Sequence, residues 1–192
     1  MQALTERETS FYPEIEIDDA GWGDLVGGVI IGGYNPLNEE FRWTEIPVEY
    51  FQGEAFATKD YLAAAKRAVN RVLGDLRADK RFHQVALCTG YVLNQAARSL
   101  RRKGWRVVRR AIEGRCQALV EERFKQELIK IGVPPAMIVT LPSGTNRFMQ
   151  LFTWVKEDPE TRERFVKTGW RSWGSKWRQA SYERTRRDSS FN

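Results

Sequence analysis

Two adjacent carboxylates, Asp18 and Asp19, are the residues of this 192-residue chain best placed to do chemistry. They end the alternating segment 12–18, which predicts a strand, and a glycine-rich turn follows them. Two acids at the end of a buried strand concentrate negative charge that a cation must neutralise. Carboxylates suit Mg²⁺ and Mn²⁺, and paired ions of this kind activate water in phosphodiester cleavage. We therefore expect Mg²⁺ or Mn²⁺ here; a solvated acidic turn is the alternative.

Other catalytic arrangements have few residues to use. The chain has one histidine, His83, and two cysteines, Cys88 and Cys116, which cannot form a four-ligand zinc site or a disulfide framework. A Ser-His-Asp or Cys-His enzyme would depend on His83 alone, and this residue lies at the start of a predicted buried strand. The sequence therefore favours chemistry based on carboxylates and metal ions.

The elements that position these acids follow from hydrophobic periodicity. Strands are predicted near 12–18, 26–34 and 41–51, with Pro47 placing the third strand at a sheet edge. Helices then alternate with short strands, which implies parallel pairing and helices on the faces of the sheet. The helical faces span 62–76, 92–100 and 116–131, and the later strands lie near 85–88 and 105–114. We predict an α/β fold, a five-stranded mixed sheet with helices on both faces in the order βββαβαβα. Its first strand should be central, antiparallel to the second and parallel to the fourth.

The run Ile17-Asp18-Asp19-Ala20-Gly21-Trp22-Gly23 resembles the opening motif of type 2 ribonucleases H, where a strand ends in Asp-Glu-Ala-Gly-Arg-Gly. The predicted element order is also that of the ribonuclease H fold, and Holliday-junction resolvases are a more distant resemblance. Asp18 matches the family's first carboxylate, Asp19 replaces the Glu, and Trp22 replaces an Arg that contacts the substrate strand. The resemblance implies a ribonuclease H-like fold over about 14–132 and a metal-dependent nuclease.

The resemblance also implies further acids, at the ends of the fourth and fifth strands. Glu113 would join Asp18 and Asp19 as a catalytic and metal-binding residue, and Glu121 on the following helix is a second-choice metal ligand. Cys88 occupies the position of the fourth-strand acid, and a neutral thiol is a poor Mg²⁺ ligand. This departure leaves a second hypothesis open, a non-catalytic nucleic-acid-binding or assembly module with a degenerate metal site.

Basic residues favour nucleic acid as the partner. The formal net charge of +6 lies entirely within 164–192, which also holds three of the seven tryptophans, and a second basic cluster spans 98–115. Cations displace counterions from phosphates, and aromatic rings stack on unpaired bases. The expected contacts are Arg101, Arg102, Arg109, Arg110, Arg115, Trp170, Arg171, Trp173 and Lys176. Alternatively, the tryptophans share one helical face that docks on the body while the arginines face water. In a third interpretation, 164–192 is a protein-docking arm and the glycine-rich turn is purely structural.

Composition narrows the class of protein further. Hydrophobic residues make up 42% of the chain and charged residues 29%, values that argue against wholesale disorder. No apolar run approaches the roughly 18 residues of a membrane helix, and the N-terminal residues lack the apolar core of a signal peptide. We therefore expect a cytoplasmic protein without a membrane partner. We divide it into a leader (1–12), a ribonuclease H-like domain (13–157) and a basic, tryptophan-rich helical extension (158–192).

Overall fold

A mixed β-sheet forms the centre of the molecule. The computed structural model describes residues 12–139 and 145–188, so the predicted leader lies outside it except for Tyr12. Within these residues the sheet has five strands in the order β3-β2-β1-β4-β5, with β1 antiparallel to β2 and parallel to β4. The strands are β1 (Glu14–Ala20), β2 (Val29–Asn35), β3 (Glu40–Ile46), β4 (Gln84–Leu87) and β5 (Arg106–Arg109). The predicted neighbours of the first strand are confirmed. β3 lies at an edge, but it ends at Ile46, before Pro47, and residues 48–51 of the predicted third strand form a 3₁₀ turn instead.

Helices follow the third strand and alternate with the last two strands, which confirms the α/β class. Short 3₁₀ turns at Val48–Phe51, Tyr91–Leu93 and Glu163–Phe165 and a π-helical turn at Trp173–Trp177 connect or extend these helices. None of the described helices is long and apolar enough to cross a membrane. The helices are α1 (Gly53–Ala57), α2 (Asp60–Asp75), α3 (Asn94–Arg102), α4 (Arg115–Lys130), α5 (Pro135–Val139), α6 (Thr145–Glu157), α7 (Pro159–Arg162) and α8 (Arg178–Asp188).

The alternation of side chains along β1 divides the core between two faces. Ile15 and Ile17 pack with α2 and α3 on one face, while Ala20 packs with α4 and α6 on the other. Full burial of an isoleucine side chain contributes roughly 1.5–3 kcal/mol to the free energy of unfolding. β1 therefore stabilises the packing of helices on both faces of the sheet. Asp18 and Asp19 follow Ile17 at the carboxyl end of this strand.

Predictions for the segments around the helix ends have mixed outcomes. The sequence predicts Asp158 as the cap of a final helix, and its Oδ1 accepts a hydrogen bond from the Thr161 N–H at 3.2 Å at the start of α7. Thr58 is predicted to cap the helix over 62–76, but its hydroxyl donates to the Glu54 carbonyl at 3.0 Å, and Lys59 precedes α2 with a φ of +62°. α1 ends at Ala57, so the hydroxyl of Thr58 binds a carbonyl of α1 and not the first turn of α2.

The apolar run 137–142 predicts a further strand, and a polar loop is predicted over 143–146. The strand is wrong for residues 137–139, which belong to α5. Pro135 begins this helix, where a missing N–H has no consequence, and this position favours a helical start. Residues 140–142 of that prediction lie outside the described part of the chain, as do residues 143 and 144 of the predicted loop 143–146. The last two residues of that loop form the start of α6.

Candidate metal centre

The acidic pair lies where β1 extends beyond its parallel neighbour. The last residue of β4, Leu87, is paired with Ile17, so the two acids that follow Ile17 project past the carboxyl end of β4. The next residue, Cys88, enters the gap and donates its backbone N–H to the Ile17 carbonyl at 2.9 Å. One ligand atom from each of Asp18, Asp19 and Cys88 lies within 4.8 Å of the others. The sheet therefore brings two carboxylates and a thiol together at one edge.

Gly90 makes room for the second carboxylate. A Cβ added to this glycine would lie 2.6 Å from Asp19 Oδ1, closer than a side chain tolerates. Asp18 is held differently, since its Oδ1 accepts the backbone N–H of Asp19 at 2.9 Å. The close approach of this carboxylate therefore favours glycine after β4.

Burial makes both carboxylates difficult to ionise. It raises the pKa of Asp18 above its usual value, and it raises the pKa of Asp19 from 3.8 to about 7. The negative charge of Glu121 raises the pKa of both acids further, while the Arg109 guanidinium opposes the effect at Asp19. A divalent cation bound between these groups would reverse this balance, because it favours the ionised carboxylates.

Cys88 contributes a neutral group. Burial, together with the charges of Asp18 and Asp19, raises the pKa of its thiol to about 11. The thiol is therefore protonated at neutral pH, and its hydrogen bond to Asp18 lowers the pKa of that carboxyl. Two carboxylates fit a hard ion such as Mg²⁺ or Mn²⁺, and the thiol adds no suitable ligand. The residues that converge here thus fit one such ion through two anionic ligands.

The structure does not bring Glu113 to this group. The fifth strand was predicted to reach residue 114, but β5 ends at Arg109, which leaves Glu113 exposed in the connection to α4. Glu121, the second-choice ligand, lies outside the 4.8 Å group too. Its charge nevertheless raises the pKa of both aspartates, so it is the acid of α4 that acts on the site electrostatically.

Sequence reasoning missed a buried ionic network beside the site. Asp24 is 2% exposed, and Arg147 contacts both its carboxylate oxygens, from Nε at 2.6 Å and from Nη2 at 2.7 Å. The third nitrogen of Arg147 donates to Glu121 at 2.7 Å. This arginine therefore ties α6 to the glycine-rich turn and to the acid on α4.

Lys167 completes the attachment of that turn. It is fully buried, and its Nζ donates to the carbonyls of Gly21 and Asp24 at 2.6 and 2.7 Å. Burial lowers the pKa of this lysine to about 7. The backbone N–H of Gly27 also donates to the Phe165 carbonyl at 2.9 Å. The turn that follows Asp19 is thus held by residues more than 100 positions later in the chain.

The tryptophans predicted to stack on bases are docked on the body. Trp173 is 2% exposed and donates its indole N–H to Glu163 at 3.2 Å, so neither face of its ring is open to a base. With its ring enclosed in this way, Trp173 is not placed to stack on a base in this structure. Trp177 packs edge-on against Phe152, with ring centroids 4.9 Å apart, and Trp170 stacks on Phe148 at 6.4 Å. These contacts favour the docking alternative for this segment, with Arg171 and Lys176 on its exposed side.

The basic residues of 98–115 have different surroundings. Arg110 forms ion pairs with Glu14 and Glu16 at 2.6 and 3.0 Å, so its charge is already compensated on the sheet and it is a poor phosphate contact. Arg101 is exposed and donates to the Val107 carbonyl at 3.2 Å. The exposed arginines at the ends of α3 and α4 are Arg102 and Arg115. Arg109 lies at the end of β5, beside the acids.

No protein-family model matches this chain, and no curated protein matches it either. Its chemistry must therefore be inferred from the geometry. His83 takes no part in the site, since it lies before β4 and its Nδ1 accepts the Asp79 N–H at 3.2 Å. The groups that remain are two buried carboxylates, an acid on α4 and an arginine, an arrangement suited to binding a cation and a phosphate.

Proposed function

We propose that this protein is a metal-dependent phosphodiesterase of the ribonuclease H-like superfamily that acts on nucleic acid. The observation that carries the proposal is the convergence of Asp18 and Asp19 at the end of β1, where both carboxylates have raised pKa values. Mg²⁺ or Mn²⁺ is the proposed cofactor. Two buried acids side by side are costly to a fold unless a cation neutralises them, so their presence favours a metal site.

The arrangement of the sheet supports the family. An antiparallel set of three strands followed by two parallel strands, with the acid-bearing strand in the centre, is what the resemblance to ribonucleases H implies. The resemblance uses a short motif and the predicted order of elements. The strand pairing, over residues 14 to 109, adds the position of the acid-bearing strand within the sheet as support for the proposal.

The residues around the acids have separate roles in the proposed reaction. A bound ion supplies Lewis-acid chemistry, activating water and stabilising the leaving oxygen. Asp18 and Asp19 hold that ion, and Arg109 binds a substrate phosphate from the side of β5 through charge-assisted hydrogen bonds. Glu121 adds negative charge that strengthens the attraction of a cation.

Calorimetric titration with Mn²⁺ tests the proposal. Asp18→Asn should abolish measurable binding, and it should raise the melting temperature in metal-free buffer because it removes repulsion between the acids. Asp75→Asn, an exposed acid on α2, is the matched control and should bind Mn²⁺ as the unaltered protein does. Equal Mn²⁺ affinity in the unaltered protein and Asp18→Asn would contradict the proposal.

Cys88 favours a second candidate function, a nucleic-acid-binding module whose metal site is degenerate. The protonated thiol occupies the position where a third carboxylate would complete the ligand set. Cys88→Asp should tighten Mn²⁺ binding if the site is functional. If the unaltered protein binds nucleic acid but not Mn²⁺, and Cys88→Asp acquires Mn²⁺ binding, the module is the correct interpretation.

A further inference from the structure

An exposed aromatic side chain stands directly beside the acids. Tyr91 is 45% exposed and follows Gly90, the glycine against which Asp19 packs. Single exposed rings are common on protein surfaces and need no explanation by themselves. This ring differs because Trp22 packs against it and because the guanidinium of Arg109 donates to the carbonyl of Gly90, the residue before it.

Trp22 and Tyr61 hold the tyrosine ring from behind. The Trp22 ring lies 6.1 Å from the Tyr91 ring at 34° and 5.2 Å from the Tyr61 ring. A hydrogen bond with Tyr91 contributes, after burial, to the raised pKa of the Tyr61 hydroxyl. A flat base inserted between two rings needs about 7 Å, or two carbon contact distances of roughly 3.5 Å. The space between Trp22 and Tyr91 is therefore too small, and only the outer face of Tyr91 is open.

Arg109 reaches the same loop from β5. Its Nη2 donates to the Gly90 carbonyl at 3.2 Å, and Gly90 immediately precedes Tyr91 in the sequence. Its Nε is buried and has no hydrogen-bond partner among the described residues. Its positive charge acts on Asp19, so the guanidinium lies near the acids as well. The side chain as a whole is half-buried, and a partly exposed guanidinium beside the acids is suited to binding a phosphate.

We propose that Tyr91, Trp22 and Arg109 form a binding site for one unpaired nucleotide, with its base on the outer face of Tyr91 and a phosphate on Arg109. Bases in a duplex are already stacked on both faces, so an exposed ring recognises bases of single-stranded or locally opened nucleic acid. The inference rests on the proposed function and specifies its substrate, because the site directs an unpaired segment of a strand toward Asp18 and Asp19.

Fluorescence anisotropy with labelled dT15, rU15 and a blunt 15-base-pair duplex tests the site, in EDTA so that no cleavage occurs. Tyr91→Ala should weaken single-strand binding about 5- to 150-fold, the range expected for one stacked base, and should change duplex binding less than 2-fold. Tyr91→Phe keeps the ring and should bind as the unaltered protein does. Phe82→Ala removes a ring that is 60% exposed before the opposite end of β4, and it should have no effect.

Arg109→Gln tests the phosphate contact. It should lower the salt slope of log K for single strands by about 0.7, the value for one lost phosphate contact. Arg71→Gln, an exposed arginine on α2, should leave the slope unchanged. Melting temperatures within a few degrees of the unaltered protein establish that each variant is folded. Tyr91 is exposed enough for its replacement to be tolerated.

The results separate the site from the proposed function. Weakening by Tyr91→Ala with either dT15 or rU15 supports the site and identifies the sugar that it accepts. Single-strand affinity within 2-fold of the unaltered protein, or equal weakening with the duplex, overturns it. Because the assay contains no metal, this failure leaves the Mn²⁺ titration of Asp18 unaffected. Conversely, a protein that does not bind Mn²⁺ but shows the Tyr91 effect loses the proposed reaction and keeps the nucleotide site.

Discussion

Asp19 and Asp24 lie on either side of the same glycine-rich turn, and their surroundings are opposite. Asp24 is buried against Arg147, which contacts both carboxylate oxygens, and Lys167 donates to its backbone carbonyl. Asp19 is half-buried beside Asp18 and near the charge of Glu121. A buried carboxylate that is paired with an arginine and hydrogen-bonded has its charge compensated within the fold. A carboxylate next to a second carboxylate lacks this compensation, and a bound cation would supply it.

The two regions should also respond to pH in opposite directions. The pKa of Asp19 is raised from 3.8 to about 7, so between these values the folded protein holds a proton that the unfolded chain has lost. Its contribution to stability is therefore full below about pH 4 and is lost as pH rises to about 7. The pKa of Lys167 is lowered from 10.5 to about 7, so its contribution to stability increases as pH rises from 7 to 10.5.

The largest effect is expected in the paired region. Arg147→Met leaves the Asp24 carboxylate buried without its partner, and we expect a loss of about 3–5 kcal/mol in the free energy of unfolding. Urea denaturation at pH 7 measures it. Arg178→Met is the matched control, since its ion pair with Glu163 has the same 2.6 Å distance but an exposed arginine, and it should lose less than about 1 kcal/mol. Equal losses would remove the distinction between the two regions.

An intermediate effect of opposite sign is expected in the acidic region. Asp19→Asn removes a charge that the fold does not compensate, so stability in metal-free buffer at pH 8 should rise by about 1–3 kcal/mol. The decrease in stability between pH 4 and 7 should become shallower. Lys167→Met should instead flatten the increase between pH 7 and 10. Urea denaturation at four pH values measures both, and an unchanged pH profile for Asp19→Asn would contradict the uncompensated charge.

The smallest effect distinguishes the two glutamates. Glu121→Gln removes the negative charge that acts on both aspartates, so Mn²⁺ affinity should fall about 2- to 5-fold, as expected for a charge interaction through a high effective dielectric. The pKa of Asp19, followed by NMR, should fall as well. Glu113→Gln should change neither quantity. A larger loss of Mn²⁺ affinity from Glu113→Gln than from Glu121→Gln would instead support Glu113 as the metal ligand that the resemblance implies.

Much of the fold could be predicted because its determinants are local. Hydrophobic periodicity located the five strands and the helices between them, and the switch from alternation to a 3.6-residue period identified where parallel pairing begins. The acids at the end of β1 could be recognised for the same reason, since a strand and the turn after it are adjacent in the chain. Boundaries were less certain, and the early end of β5 changed the position of Glu113.

Composition left two interpretations of the C-terminal segment open. Its charge and tryptophans suited either an arm that binds nucleic acid or a helical face docked on the body, and Trp173 and Lys167 are both buried. Composition does not distinguish an exposed aromatic ring from a docked one, because the surface that covers the ring comes from elsewhere. Here that surface belongs partly to α6, through contacts such as Phe152 with Trp177.

The sequence by itself determined the element order, the central acidic strand and the scarcity of histidine and cysteine ligands. Only the tertiary structure decided which residues surround the acids. Arg147 and Asp24 are 123 positions apart in the sequence, and Lys167 and Gly21 are 146 apart. A pattern of neighbouring residues cannot indicate contacts at such separations. The physical reason is that periodicity reports which face of an element is buried. Which buried charges meet depends on how separate elements pack.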